Sequence, residues 1–175
     1  NEDQISSDYN SIKDLFRPGH ADFTYLQKYG IRDYRGSGRA SGRETSARVA
    51  AGAVAIKILK SRGISITAYT VKAAGISCIE KDFTVIETNH MRACDRNAAK
   101  EMEKKVIALA DEGDSVGGIV ECTVTGVKPG LGEPVFDKID AELAKAMVSL
   151  GAVKAVEFGS GFACADMKGS EHNDS

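Results

Sequence analysis

Nowhere in the 175 residues does an apolar run approach the roughly 20 that a membrane-spanning helix needs. No charged-then-apolar leader opens the chain either. Neither membrane insertion nor secretion is expected, and a cytoplasmic protein is the default reading. The four cysteines, Cys78, Cys94, Cys122 and Cys164, contain no C-x-x-C pair, which argues against a zinc ribbon or a thioredoxin-like site and for free buried thiols. His20, His90 and His172 show no metal-ligand spacing, so no metal is expected. Repeats and low-complexity tracts are missing as well. The chain starts at Asn1 rather than methionine and stops in the polar run GSEHNDS, which reads as a fragment of a longer protein.

What is present is the composition of a globular protein. With 42% hydrophobic and 27% charged residues, 175 residues can bury a core as one domain or two small ones. Residues 1–175 are read as a single domain. The net charge is only −2, yet residues 17–48 hold seven bases (Arg17, Lys28, Arg32, Arg35, Arg39, Arg43, Arg48) against three acids (Asp22, Asp33, Glu44). A compact positive patch on an acidic chain points to a local anionic ligand more than to a nucleic acid. The basic segment also lacks the interleaved aromatics of a single-strand binder, so no nucleic-acid partner is expected.

The patch leads into a helix. Ala47, Ala50, Ala51, Val54 and Ile58 recur at helical spacing over residues 41–60, and the small face formed by Ala47, Ala51, Gly52 and Ala55 implies close packing in the core. Ser41 followed by Glu44 has the spacing of a capping box, and Glu44 can pair with Arg48 one turn on. Arg39 and Arg43 then stand beside the positive end of the helix dipole, where a cation is disfavoured by a few tenths to ~1 kcal/mol. An anion held by the helix amides and these arginines offsets that penalty. GSGRASG has glycine spacing G-x-G-x-x-x-G with no buried strand before it, so it fails as a dinucleotide fingerprint, although Gly36 and Gly38 let the backbone approach a ligand.

Further along, residues 64–76 alternate as a strand and residues 78–94 look irregular. Asp95 can cap a helix running to about residue 112 with Met102, Val106 and Leu109 on one face. IVECTVTGV reads as a strand with Ile119, Cys122 and Val124 on a buried face, residues 136–147 as an amphipathic helix, and AVKAVEFG as a closing strand. Mixed helices and strands of this kind make an α+β domain. In FRPGHAD, His20 sits in a turn between Arg17 and Asp22, a plausible general acid because histidine exchanges protons near neutrality. On these residues alone a surface turn histidine stays open as the alternative.

The strings FRPGHADFTYLQKYGIRDYRGSGRASGRETSARVAAGA, EGDSVGGIVECTVTGVKPGLGEPVFDKIDAELAKAMVSLGAVKAVEFGSGF and GSEHND resemble chorismate synthase. The resemblance runs through nearly the whole chain, is weakest over residues 60–112, and matches the middle of that enzyme. The family's G-E-S-H-G segment, which holds a second catalytic histidine, and the C-terminal part that completes the flavin site fall outside it.

The resemblance implies a β-α-β sandwich with helices packed between antiparallel sheets, assembled as a homotetramer in the cytoplasm. It implies a lyase of the shikimate pathway, which serves aromatic amino acid biosynthesis. Such an enzyme takes 5-enolpyruvylshikimate 3-phosphate to chorismate by an anti 1,4-elimination of phosphate, with reduced FMN and no net redox change; NADP as the reductant of that flavin is left open. His20 matches the family histidine near the flavin. Arg39, Ala40 and Ser41 match an R-S-S flavin contact, and Gly151 and Ala152 a second one. Arg43 and Arg48 are candidates for flavin phosphate or the anionic substrate. Ala40 stands where serine is usual, Gly42 where alanine is, Ala155 where glycine is, and residues 159–161 read GSG rather than GDG. A catalytically incomplete fragment that binds flavin or an anion without turnover is the alternative.

Overall fold

The computed structural model describes residues 5–36 and 38–173, with the side chains of Ser6 and Arg39 outside what is described. In chain order the elements are a 3-10 helix Ser6–Ile12, α1 Asp22–Tyr29, 3-10 turns Gly38–Ala40 and Gly42–Glu44, α2 Thr45–Ser61, β1 Ser65–Ala73, β2 Ile76–Ser77, a 3-10 helix Phe83–Thr88, α3 Arg96–Asp111, β3 Gly118–Thr125, α4 Ile139–Val148, a 3-10 helix Gly161–Asp166, and α5 Gly169–His172. Among the described residues no helix is long and apolar enough to cross a membrane. The backbone divides into two compact units, Val54–Val127 and the pair Asn1–Ala53 with Lys128–Ser175.

The unit Val54–Val127 is built on an antiparallel sheet of order β2-β1-β3. The strand expected over 64–76 is instead a hairpin: β1 pairs with β2 through Ala73 and Ile76, leaving Ala74 (φ 53) and Gly75 (φ 79) as the turn. Two consecutive positive φ angles suit a tight hairpin to the twist of its strands, and nothing in the apolar alternation marks such a break. β1 carries an irregularity between Thr70 and Lys72. There the Thr70 amide leaves the ladder for the Arg92 carbonyl at 3.0 Å, and the Val71 carbonyl accepts from the Cys78 amide at 2.8 Å. The bulge therefore ties residues 78 and 92 to the sheet.

Two small apolar clusters form this unit's core: Ala73, Ala93, Ala98, Ala99 and Met102 in one, Tyr69, Ile86 and Cys94 in the other. Asp95 caps α3 as the sequence predicts, its Oδ1 accepting from the amides of Asn97 (2.9 Å) and Ala98 (3.0 Å). Its Oδ2 does a second job, accepting from the amides of Ile79 (3.0 Å) and Glu80 (3.2 Å). Bonds to the Ala98, Ile79 and Glu80 amides outweigh burial and pull its carboxyl down to about 2. β3 departs from expectation. Ile119, Cys122 and Val124 are exposed, and its more sheltered positions are Glu121 and Thr123, which meet the buried Tyr69 hydroxyl.

In the other unit, Ser41 is extended (φ −92, ψ 162), and its Oγ accepts from the Arg43 amide at 3.3 Å, a cap on the second position in place of the expected bond from the Glu44 amide. The first turn is 3-10, so α2 starts at Thr45 rather than Ser41. Two further expectations fail. No residue of α2 is buried, although its small face looks like packing surface. Residues 152–159 form no strand, since extended chain becomes a strand only beside a partner. The thiols are also less uniform than expected: Cys94 is buried and Cys78 half-buried, while Cys122 and Cys164 are exposed.

Replacing Asp95 with alanine removes a cap and strands four amides, an expected loss of about 2–4 kcal/mol. Amide exchange at Ile79, Glu80, Asn97 and Ala98 should accelerate first. Unchanged protection at Ile79 and Glu80 would show that the second pair of bonds contributes nothing.

Candidate active site

The FRPGHAD segment folds as a turn because Pro18 and Gly19 occupy the two central positions that a type II turn assigns them, Gly19 with φ 71. The His20 amide closes the turn on the Arg17 carbonyl at 3.2 Å. The exposed imidazole bends back so that Nδ1 lies 3.0 Å from the Pro18 carbonyl. A carbonyl only accepts, so Nδ1 carries the proton and Nε2 is the nitrogen left for exchange with a ligand.

Directly beneath this turn lies Asp22, the first residue of α1 and only 3% exposed. Its carboxylate accepts from Arg17 Nε (3.0 Å), Nη2 (3.0 Å) and backbone N (3.3 Å), and from Arg32 Nη1 (3.1 Å). The bidentate Arg17 fork is the main cause that brings the Asp22 carboxyl down to about 2, against the opposing effect of burial. Arg32 also donates to the Lys13 carbonyl and lies 5.0 Å over the Phe16 ring. Arg17 lies 5.5 Å over Tyr9. Two of the seven bases in the positive segment are therefore committed to one acid. The sequence marked Asp22 only as a flank of His20; an acid opening a helix five residues after an arginine was the available signal.

The second half of the positive segment is a loop closed on itself. Arg43 Nε donates to Ser41 Oγ at 3.1 Å and its Nη2 to the Gly36 carbonyl at 3.0 Å, so this side chain staples the loop to the start of α2. Asp33 holds the Arg35 amide at 2.9 Å and pairs with its guanidinium at 3.8 Å. Arg48 does not pair with Glu44. It reaches across to Ser149 at the end of α4, Nη1 donating to Oγ at 2.7 Å and Nη2 to the carbonyl at 3.4 Å. That contact, absent from the sequence reading, ties the start of α2 to the segment holding Gly151 and Ala152. Ala152 has φ 69, and a side chain at Gly151 would meet no atom within 4 Å, so backbone there is open to a ligand. Among the described residues no hydrogen bond or ion pair links His20 to residues 38–48 or 149–152.

The family model for chorismate synthase matches residues 1–175. The chain belongs to the chorismate synthase family. It is 55% identical over 174 residues to the chorismate synthase of Syntrophobacter fumaroxidans, covering 99% of this chain and 50% of that protein. It is 54% identical over 179 residues to that of Methanosarcina mazei, covering 100% and 49%. A crystal structure of chorismate synthase superposes with a TM-score of 0.79 at 32% identity over 89% of this chain and 52% of that one. The chain thus spans about half the length of the curated relatives it matches, and the α+β class agrees with the family fold.

A cleft of about 400 Å³ lies beside Val106, Leu109 and Val116 and holds none of the site residues named above. It is mostly apolar and lacks the convergent polar groups that orient a ligand.

The stability lent by Asp22 follows from its lowered carboxyl. It is complete above the ordinary value of 3.8 and is lost as pH falls through about 2. Asp22→Asn should destabilise the protein by about 2–4 kcal/mol at neutral pH, because two guanidinium groups lose their anion. It should also flatten the acid side of the unfolding profile. An unchanged profile would remove Asp22 from its central place.

Proposed function

We propose that the longer protein of which this chain spans about half is a chorismate synthase, a carbon–oxygen lyase converting 5-enolpyruvylshikimate 3-phosphate to chorismate. The reading is carried by the match of all 175 residues to the family, with His20 inside the matched motif and its Nε2 turned out. The reaction expels phosphate with the C–O bonding pair and removes a ring proton from the opposite face. Reduced FMN, when bound, supplies a transient electron or proton partner and ends unchanged.

The residues present fit such a group in charge and access. The entrance to α2 is rich in arginine, and residues 40–41 and 151–152 are exposed or half-exposed. Arg39, Ala40, Ser41, Gly151 and Ala152 are proposed to hold the flavin. Ala40 has no hydroxyl, so its part is a backbone contact. Arg48, two donors already on Ser149, keeps the remainder of its five N–H groups for an anion. Arg43 shapes the loop that meets the phosphate. His20 keeps its Nδ1 proton against Pro18 and exchanges a second proton at Nε2. Homotetramer assembly, a cytoplasmic location and NADP as a source of reducing power are proposed with the family reading.

A second reading is favoured by one observation: α2, the helix that carries the cationic entrance, has no buried residue within this chain. Residues 1–175 by themselves then bind flavin or an anion without turnover.

Substrate added anaerobically to the full-length protein with reduced FMN should release phosphate with a flavin absorbance transient. Flavin binding without phosphate release overturns the lyase reading. His20→Ala should lower kcat by about 10²–10⁴-fold, the range for loss of a positioned acid or base, with flavin affinity nearly unchanged. Arg48→Ala should weaken FMN binding by roughly tenfold in a fluorescence titration, as expected for a lost charge-assisted bond. The 175-residue chain alone should titrate with FMN yet release no phosphate.

A further inference from the structure

Two thiols converge on one carbonyl in the unit Val54–Val127. Cys78 Sγ lies 3.4 Å and Cys94 Sγ 3.9 Å from the Thr70 oxygen, and the two side chains are within hydrogen-bonding reach of each other. The backbone on both sides is held by hydrogen bonds. The Cys78 amide is bonded to Val71 at 2.8 Å, the Cys94 carbonyl accepts from the Asp82 amide at 2.8 Å, and Asp95 binds the Ile79 and Glu80 amides. Cys94 Sγ has the Glu80 carbonyl at 3.5 Å as a second acceptor. A disulfide needs two sulfurs brought together from anchored backbone, and two thiols directed at one carbonyl oxygen are the starting point for it. Cys122 and Cys164 are exposed and serve as internal controls.

We propose that Cys78 and Cys94 are a disulfide-forming pair, closed by a hydroperoxide as oxidant. The half-buried Cys78 reacts first. Its thiolate attacks one peroxide oxygen, forming an S–O bond as the O–O bond breaks, and the departing hydroxide takes up the Cys78 proton as water. The Cys94 sulfur then attacks the sulfenic sulfur; the S–S bond forms, the S–O bond breaks, and the second water leaves with the Cys94 proton. Two thiols and one hydrogen peroxide give one disulfide and two waters, the two sulfurs losing the two electrons that the peroxide gains. This site lies outside the motifs that carry the proposed lyase function and does not depend on it.

Burial, with Cys94 and Asp95 alongside, pushes the Cys78 thiol up to about 11. Lys81 and Tyr69 face the Cys94 side of the pair. Cys78 therefore rests as the thiol at neutral pH, and its oxidation accelerates as pH rises toward that value.

The test exposes the full-length protein to hydrogen peroxide near pH 7 and near pH 9, alkylates remaining thiols after denaturation, and maps tryptic peptides by mass. The expected product joins AAGISCIEK, residues 73–81, to ACDR, residues 93–96, lighter by two hydrogens than the separate peptides and restored by dithiothreitol. It should form roughly tenfold faster per pH unit. The variant C78S should leave Cys94 fully alkylatable; because Cys78 is only half-buried, this variant also covers the case in which C94S fails to fold. Recovery of both cysteines as free thiols after Cys122 or Cys164 has been oxidised would overturn the proposal. Sulfinic acids without a cross-link, or a link to any other cysteine, would overturn it too.

Discussion

A carboxylate can be buried only if its negative charge is met on nearly every lone pair, and each of the two units is organised around one that is. Asp22 and Asp95 are the buried charged residues among those described, and each accepts four N–H donors. They do it with different chemistry. Asp95 is satisfied by amides alone, so it acts as a backbone clamp between a helix start and the chain leaving a hairpin. Asp22 is satisfied mainly by guanidinium groups, so it gathers side chains from residues 17 and 32 around the turn that presents His20. The difference suits what each holds. A clamp of amides fixes the backbone path, whereas a cluster of cations around one anion fixes side chains beside the turn that carries His20.

That distinction revises the positive patch. Counting charges from residue 17 to 48 treats all seven bases as available to a ligand, yet Arg17 and Arg32 answer to Asp22, Arg43 closes its own loop, and Arg48 spans to Ser149. The net charge stays positive because Asp22 accepts from two guanidinium groups at once. What the geometry changes is the division of labour: most of these arginines build the entrance, and fewer donors are left for the anion proposed to bind there.

Local signals were legible in the sequence because their physics is local. Asp95 capping α3, Ser41 capping the turn before α2, and the Pro-Gly turn under His20 each rest on groups a few residues apart. The reading failed where structure depends on distant partners. The break at Ala74 and Gly75 exists because β1 must fold back on β2, while Ile119, Cys122 and Val124 look buried by alternation but find no cover within the chain. Arg48 was assigned to Glu44 by spacing, and Ser149, 101 positions away, took it instead. Of the candidate site, the motif residues were legible through family resemblance, while Asp22 and Ser149, which hold that site in place, became visible only in three dimensions.

The uncovered apolar surface bears on what the site residues can do alone. α2 alternates small and apolar residues along its length, yet Val49, Val54, Ile56 and Ile58 are each at least half exposed. Burial is the main source of rigidity for a helix, since propensity alone barely sustains one of this length. The cationic entrance is built on the first turn of that helix, so its precision depends on whatever packs against the helix further along. The relatives are about twice as long as this chain. The same covering that would rigidify α2 would therefore sharpen the proposed anion site at its start. For that reason flavin affinity should fall further than charge alone predicts when residues 1–175 are taken by themselves.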